Sequence, residues 1–147
     1  MRLYLDLCVY NRPFDSQKQE RISLETSIFV YILEMVERNV YTLIASETLV
    51  YENSKNPDIQ RMIRVSSYFG LARESTKVSN SDLKRIKFIK RLGFSGIDAL
   101  HVTLAKKSNA DFFITCDDNI VNLYKRQRDS IKVNIVNLVE FIGLEVE

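Results

Sequence analysis

Four of the 19 carboxylates in this 147-residue chain stand where short apolar runs stop or helical patterns begin. Asp6 closes the run RLYLDL, Glu52 lies in ETLVYEN, Asp98 opens GIDALHVTLAKK, and Asp117 follows DFFIT directly, with Asp118 beside it. Free Asp and Glu titrate near a pKa of about 4, so all four favour the ionised form at neutral pH. Brought together without a partner, they would repel one another. A divalent cation resolves that conflict. Oxygen donors without Cys or paired His suit Mg²⁺ or Mn²⁺. His101 is the single histidine, and Cys8 and Cys116 match no zinc-ligand spacing, which excludes a His–His or Cys-rich metal site.

Taken alone, each acid has a plain structural explanation. Asp6 and Asp117 suit turns, Asp98 suits the first turn of a helix, and Glu52 suits a solvated helix face. Only elements that bring the four together make a site of them. The apolar run Arg2–Leu7 reads as a buried strand, and the polar stretch from Asn11 to Glu20 breaks order around Pro13. From Arg21, Ile28, Phe29, Ile32, Leu33 and Val36 recur at helix-face spacing, and Asn39 is the stop. YTLIAS (Tyr41 to Ser46) reads as a second strand, after which Ser46 stands at the N-cap of a short helix carrying Glu52. Pro57 opens another helix, in which Ile59, Met62 and Ile63 are expected to face inward.

STKVS (Ser75 to Ser79) is a weak strand. Ser79 and Asp82 then have capping-box spacing before a helix lined by Leu83, Ile86 and Ile89 and ended by Gly93. Gly96–Lys107 is amphipathic, with Ile97, Leu100, His101 and Leu104 on one side, so His101 is expected in the core. DFFIT is a strand, NIVNLYKRQ a helix, IKVNIV (Ile131 to Val136) a strand and LVEFI a last helix. Alternating strands and helices predict one three-layer α/β/α sandwich with a mostly parallel central sheet, spanning residues 1–147. In such a sheet ligands bind beyond the carboxyl ends of the strands, where the four acids fall.

The chain resembles a PIN domain, the small metal-dependent ribonuclease fold of the toxins in many prokaryotic toxin–antitoxin pairs. LYLDL, SETLVYE, IDALHVTLAKKSNADFFITCDD and IVNLVEFI carry the resemblance, in the family's order. It implies that Asp6, Glu52, Asp98 and Asp117 form an acidic metal-binding quartet for Mg²⁺ or Mn²⁺. Thr115 and Ser46 would support it, and Asp118 is an extra acid beside it. It also implies RNA phosphodiester hydrolysis and an antitoxin partner. PIN domains often pair, and the apolar face from Ile28 to Val36 exceeds what one sheet face needs, so a homodimer is expected. Leu7 and Cys8 follow Asp6 where many members carry a small polar residue and then Asn, which removes amide support from that position.

In the segment Tyr10 to Glu25, Arg12, Arg21 and Glu25 can reach the mouth of the site, and the two arginines are candidate RNA contacts. The same residues also read as a salt-bridged loop. Two local basic clusters, LKRIKFIKR and YKRQR, read equally as solvated helix faces. The net charge of +2 announces no nucleic-acid partner.

Other readings compete with the ribonuclease. A phosphatase of the haloacid dehalogenase type needs a second Asp two residues after the first, where Cys8 stands. A non-catalytic PIN-like module binding nucleic acid or protein, and a DNA nuclease on the same fold, fit the sequence too. No Gly-rich nucleotide motif is present. Two distant cysteines, no leader pattern and no long apolar stretch predict a reduced, cytoplasmic chain without a membrane span.

Overall fold

The computed structural model describes residues 1–145. Its five strands are β1 (Arg2–Leu5), β2 (Thr42–Ser46), β3 (Glu74–Thr76), β4 (Phe112–Thr115) and β5 (Ile135–Asn137). All pair in parallel, in the order β3-β2-β1-β4-β5. Consecutive residues Leu3, Tyr4 and Leu5 have no exposed surface, so both faces of the sheet are covered, as parallel pairing requires. The layer sandwich expected from the sequence is the one present.

The strand order decides where a site can form. From β1 the chain steps outward through β2 to β3, then crosses back to β4 on the other side of β1. The crevice between β1 and β4, at their carboxyl ends, is the switch point of the sheet. Asp6 follows one of those strands and Asp117 the other.

The connecting helices are α1 (Leu7–Asn11), α2 (Glu20–Glu37), α3 (Glu47–Ser54), α4 (Ile59–Phe69), α5 (Leu83–Arg91), α6 (Gly96–Lys107), α7 (Asp118–Arg126), α8 (Arg128–Ile131) and α9 (Leu138–Glu145). Helix α2 ends at the expected place, with Asn39 in the left-handed region that Asn tolerates after a helix. Gly93, at φ 114°, follows α5 as expected. Among the described residues no helix is long and apolar enough to cross a membrane.

Three readings of the chain are corrected. Strand β1 stops at Leu5, and residues 7–11 form a helix, because the Asp6 side chain caps the Leu7 amide and starts one immediately. In α4, Ile59 and Ile63 point outward at 66% and 59% exposure while Val65 is fully buried. Met62, also expected inward, is half-buried, so the inward stripe runs through Met62 and Val65 and leaves out Ile59 and Ile63. Finally, β5 begins at Ile135, since residues 128–131 make a turn of helix and Lys132 turns left-handed at φ 63°.

The apolar residues of α2 divide between core and surface. Ile28, Phe29, Ile32 and Val36 are buried in the core, and α2 packs against α9. Val30 and Tyr31 of the same helix remain exposed.

Candidate functional site

Asp6 does two backbone jobs. Its amide continues the ladder by donating to Ile114 O at 2.9 Å, and its Oδ1 accepts the Leu7 amide at 2.8 Å. Its Oδ2 accepts the Thr115 hydroxyl at 2.8 Å and the Cys8 thiol at 3.5 Å. Thr115 Oγ1 in turn accepts the Asp117 amide at 3.0 Å. Thr115 thus ties the two acids that flank the switch point. Asp117 caps α7 by accepting the Asn119 amide at 2.9 Å, and Asp98 lies in the first turn of α6, which Ser95 caps.

Glu52 arrives from α3 and is met by His101. The Nε2 of His101 lies 2.9 Å from Glu52 Oε1, and its Nδ1 lies 2.7 Å from the Tyr4 hydroxyl. That hydroxyl is 2.6 Å from Ser46 Oγ, which accepts the Leu49 amide at 3.1 Å and caps α3. The chemistry fixes the direction of this chain. An ionised carboxylate only accepts, so Nε2 donates to Glu52. With a neutral ring Nδ1 then accepts, Tyr4 donates to it, and Ser46 donates to Tyr4. Burial first of all pushes the Tyr4 phenol well above its ordinary pKa, which keeps the proton that it donates. His101 is in the core, as expected, and it also forms the wall behind Glu52. Its place three residues after Asp98, on one helix face, is the sequence signal for that role.

The four carboxylates line one cavity of about 370 Å³, together with Leu7, Cys8, Asn11, Arg12 and Asp15. Donor atoms of Asp6, Glu52 and His101 lie within 4.8 Å of one another. Burial raises the pKa of Asp6, against the Thr115 hydrogen bond. Asp98 is raised by burial too, with the Asp6 and Asp117 charges adding to it. Asp98 and Asp117 line the same cavity but lie outside that close group, in which Asp6 and Glu52 are the oxygen donors that suit a hard divalent cation. A larger cavity, about 590 Å³, opens beside Met1, Asp111 and Asn134 at the amino ends of the strands and gathers no such acids.

The arginines of the 10–25 segment are held by the chain's own carboxylates. Arg12 lines the cavity and pairs with Asp15 at 2.8 Å and with buried Glu25 at 3.2 Å. Arg21 forks onto Asp118 with two bonds of 2.8 Å and lies 3.4 Å from Glu25. Arg61 of α4 holds Asp15 at 3.0 Å. Arg21 lowers the pKa of Asp118, whose carboxylate is thus engaged away from the quartet. Of the sequence-derived set, Ser46 reaches the cavity only through Tyr4 and His101, and Thr115 touches Asp6 directly.

No protein-family model matches the sequence, and no curated protein matches it significantly. Solved structures do. The chain is 18% identical to a chain in the crystal structure of VapBC2 from Rickettsia felis bound to a DNA fragment from its promoter. That match covers 93% of this chain and 98% of the other, with a TM-score of 0.59. It is 16% identical to a chain in the crystal structure of FitAcB from Neisseria gonorrhoeae, covering 92% and 97%, again at 0.59. At such identities the likeness speaks for the fold alone, and the chain has the fold of a PIN domain.

Proposed function

We propose that the protein is a Mg²⁺- or Mn²⁺-dependent endoribonuclease that hydrolyses RNA phosphodiesters. The observation that carries this reading is the meeting of Asp6, Glu52, Asp98 and Asp117, from four separate segments, in one cavity at the switch point. Asp6, Asp98 and Asp117 would hold the metal, with Glu52 beside them. When bound, the cation supplies an activated water and charge stabilisation at the phosphoryl oxygens.

The chain's own residues supply the rest. Leu7 N–H and the Thr115 hydroxyl each hold one oxygen of Asp6, so its carboxylate presents fixed lone pairs to the cavity. Through its amide, Asp117 is held to the same hydroxyl. His101 fixes one oxygen of Glu52 and leaves the other free to accept a proton or orient a water. The likeness to chains in VapBC2 and FitAcB supports a toxin role, and with it a small antitoxin partner.

The test is incubation of the purified protein with defined RNA and DNA in Mg²⁺, Mn²⁺ or EDTA. RNA cleavage that EDTA abolishes supports the proposal. Cleavage of DNA alone, or of neither, contradicts it.

A further inference from the structure

We propose that the outer face of α5 is a binding track for single-stranded RNA that leads to the acidic cavity. This rests on the nuclease reading for its destination, and on a separate set of residues for its substance. Between Leu83 and Arg91 the helix carries Lys84, Arg85, Lys87, Lys90 and Arg91, and no acid. Lys84, Lys87, Lys90 and Arg91 are exposed, and among the described residues none is within ion-pair distance of a carboxylate. The contrast with the cavity is direct. There Arg12, Arg21 and Arg61 are all neutralised internally, so a polyanion has to find its cations elsewhere.

The spacing suits one strand. Lys84, Lys87 and Arg91 recur at intervals of three and four, on one side of the helix, opposite buried Ile89. Phe88 lies among them, half-buried, with the Arg85 guanidinium 5.1 Å from its ring centre. Arg85 itself is anchored, donating to the carbonyls of Ser130 and Ile131 at 3.1 and 2.7 Å. A hollow of about 420 Å³ opens over Lys84, Arg85, Phe88 and Arg91. A second, of about 340 Å³, follows over Lys87, Lys90 and Arg91. An aromatic and a guanidinium plane inside a cationic groove is the arrangement that stacks bases while lysines follow the phosphates. An acidic protein segment would use the charges and leave the stacking surface idle, which favours RNA.

The direction of the helix matters as much. From Arg91 the chain passes through Leu92, Gly93, Phe94 and Ser95 into α6, whose third residue is Asp98. The track's last turn is therefore the one joined to the wall of the cavity.

The experiment measures binding without cleavage. A labelled mixed-sequence RNA of about 20 nucleotides is titrated with the protein in EDTA, by fluorescence anisotropy, from about 50 to about 200 mM salt. The test variant combines Lys84→Gln, Lys87→Gln, Lys90→Gln and Arg91→Gln, all surface changes, with folding checked by circular dichroism. The control combines Arg38→Gln and Lys106→Gln, exposed cations outside α5. Each phosphate contact on a single strand contributes about 0.7 to the slope of log K against log salt. The test variant is expected to lose about 2 to 3 from that slope and at least about tenfold in affinity at 0.1 M salt, with the control unchanged. Absence of RNA binding by wild type, or equal slope and affinity in the test variant, overturns the proposal. So does loss confined to binding of polyglutamate, which would make α5 a surface for an acidic protein. Hydrolysis of bis(p-nitrophenyl) phosphate by wild type with Mn²⁺ is measured separately. If that diester is untouched while the slope falls as expected, the nuclease reading fails and the track stands.

Discussion

His101 holds Glu52: Nε2 stands 2.9 Å from Glu52 Oε1, and the other ring nitrogen stands 2.7 Å from the Tyr4 hydroxyl. A carboxylate of the acidic cavity is thereby oriented by a buried ring, which is oriented by a phenol fixed in the central strand. Tyr4→Phe leaves His101 Nδ1 without its donor in a site closed to water. Urea denaturation should show a loss of about 1–3 kcal/mol, the penalty for a buried unsatisfied polar group. RNA cleavage should fall with it, because Glu52 loses its fixed position. His101→Gln, which keeps an N–H donor, should retain more activity than His101→Ala at matched folded fraction.

Asp98 offers a stability test of the proposed cation site. Its folded-state pKa is raised by burial and by Asp6 and Asp117, so its ionisation opposes folding. The sign follows from linkage. A raised acid favours the folded state most below its unfolded pKa, and that advantage is lost as pH rises through the folded pKa. At neutral pH in EDTA, Asp98→Asn should therefore melt at or above the wild-type temperature. Added Mn²⁺ should raise the melting temperature of wild type and do so much less for the variant.

Glu25 is almost completely buried and faces both Arg12 and Arg21. Glu25→Ala leaves the partly buried Arg12 with Asp15 as its remaining acid. Denaturant melts should show a loss of about 3–5 kcal/mol, the usual result of removing one partner from a buried pair. A loss below about 1 kcal/mol would mean that the pair is screened by water.

Much of the molecule is legible in the chain because local signals and tertiary demands agree. Leu3, Tyr4 and Leu5 form an unbroken apolar run, which is what a strand covered on both faces needs. Ser79 and Asp82 make the capping box that their spacing announces. Asp6, Asp98 and Asp117 stand where a strand ends or a helix starts, whereas Glu52 lies inside α3 and reaches the cavity only through the packing of that helix. Helix α4 is different. Ile59 and Ile63 satisfy helical periodicity as well as Val65 does, and periodicity alone does not say which stripe turns inward. Ile63→Ser should accordingly change stability by no more than about 0.5 kcal/mol, whereas Val65→Ala should remove about 2 kcal/mol in the same urea melt.

The partners of charged residues were less legible still. In sequence Arg12 and Arg21 read as RNA contacts or as members of a salt-bridged loop, and folding forms the salt bridges, with α2 beside the start of α7 and Arg21 closed on Asp118. Such long-range pairs leave no periodic trace. His101 carries a trace in its spacing from Asp98, but its link to Glu52 depends on how α3 and α6 pack.

The central claim is that the quartet holds the cation for RNA hydrolysis, and Asp6→Asn tests it most directly. The substitution keeps the side-chain size and removes the charge that a hard cation requires. Cleavage of a defined RNA is followed for wild type and variant at equal protein concentration, in the same Mg²⁺ or Mn²⁺, after both are shown to be folded. The account predicts that the variant's rate falls at least about a hundredfold, since the activated water is lost with the metal, while Asp118→Asn stays near wild type. Cleavage by Asp6→Asn at the wild-type rate would contradict it.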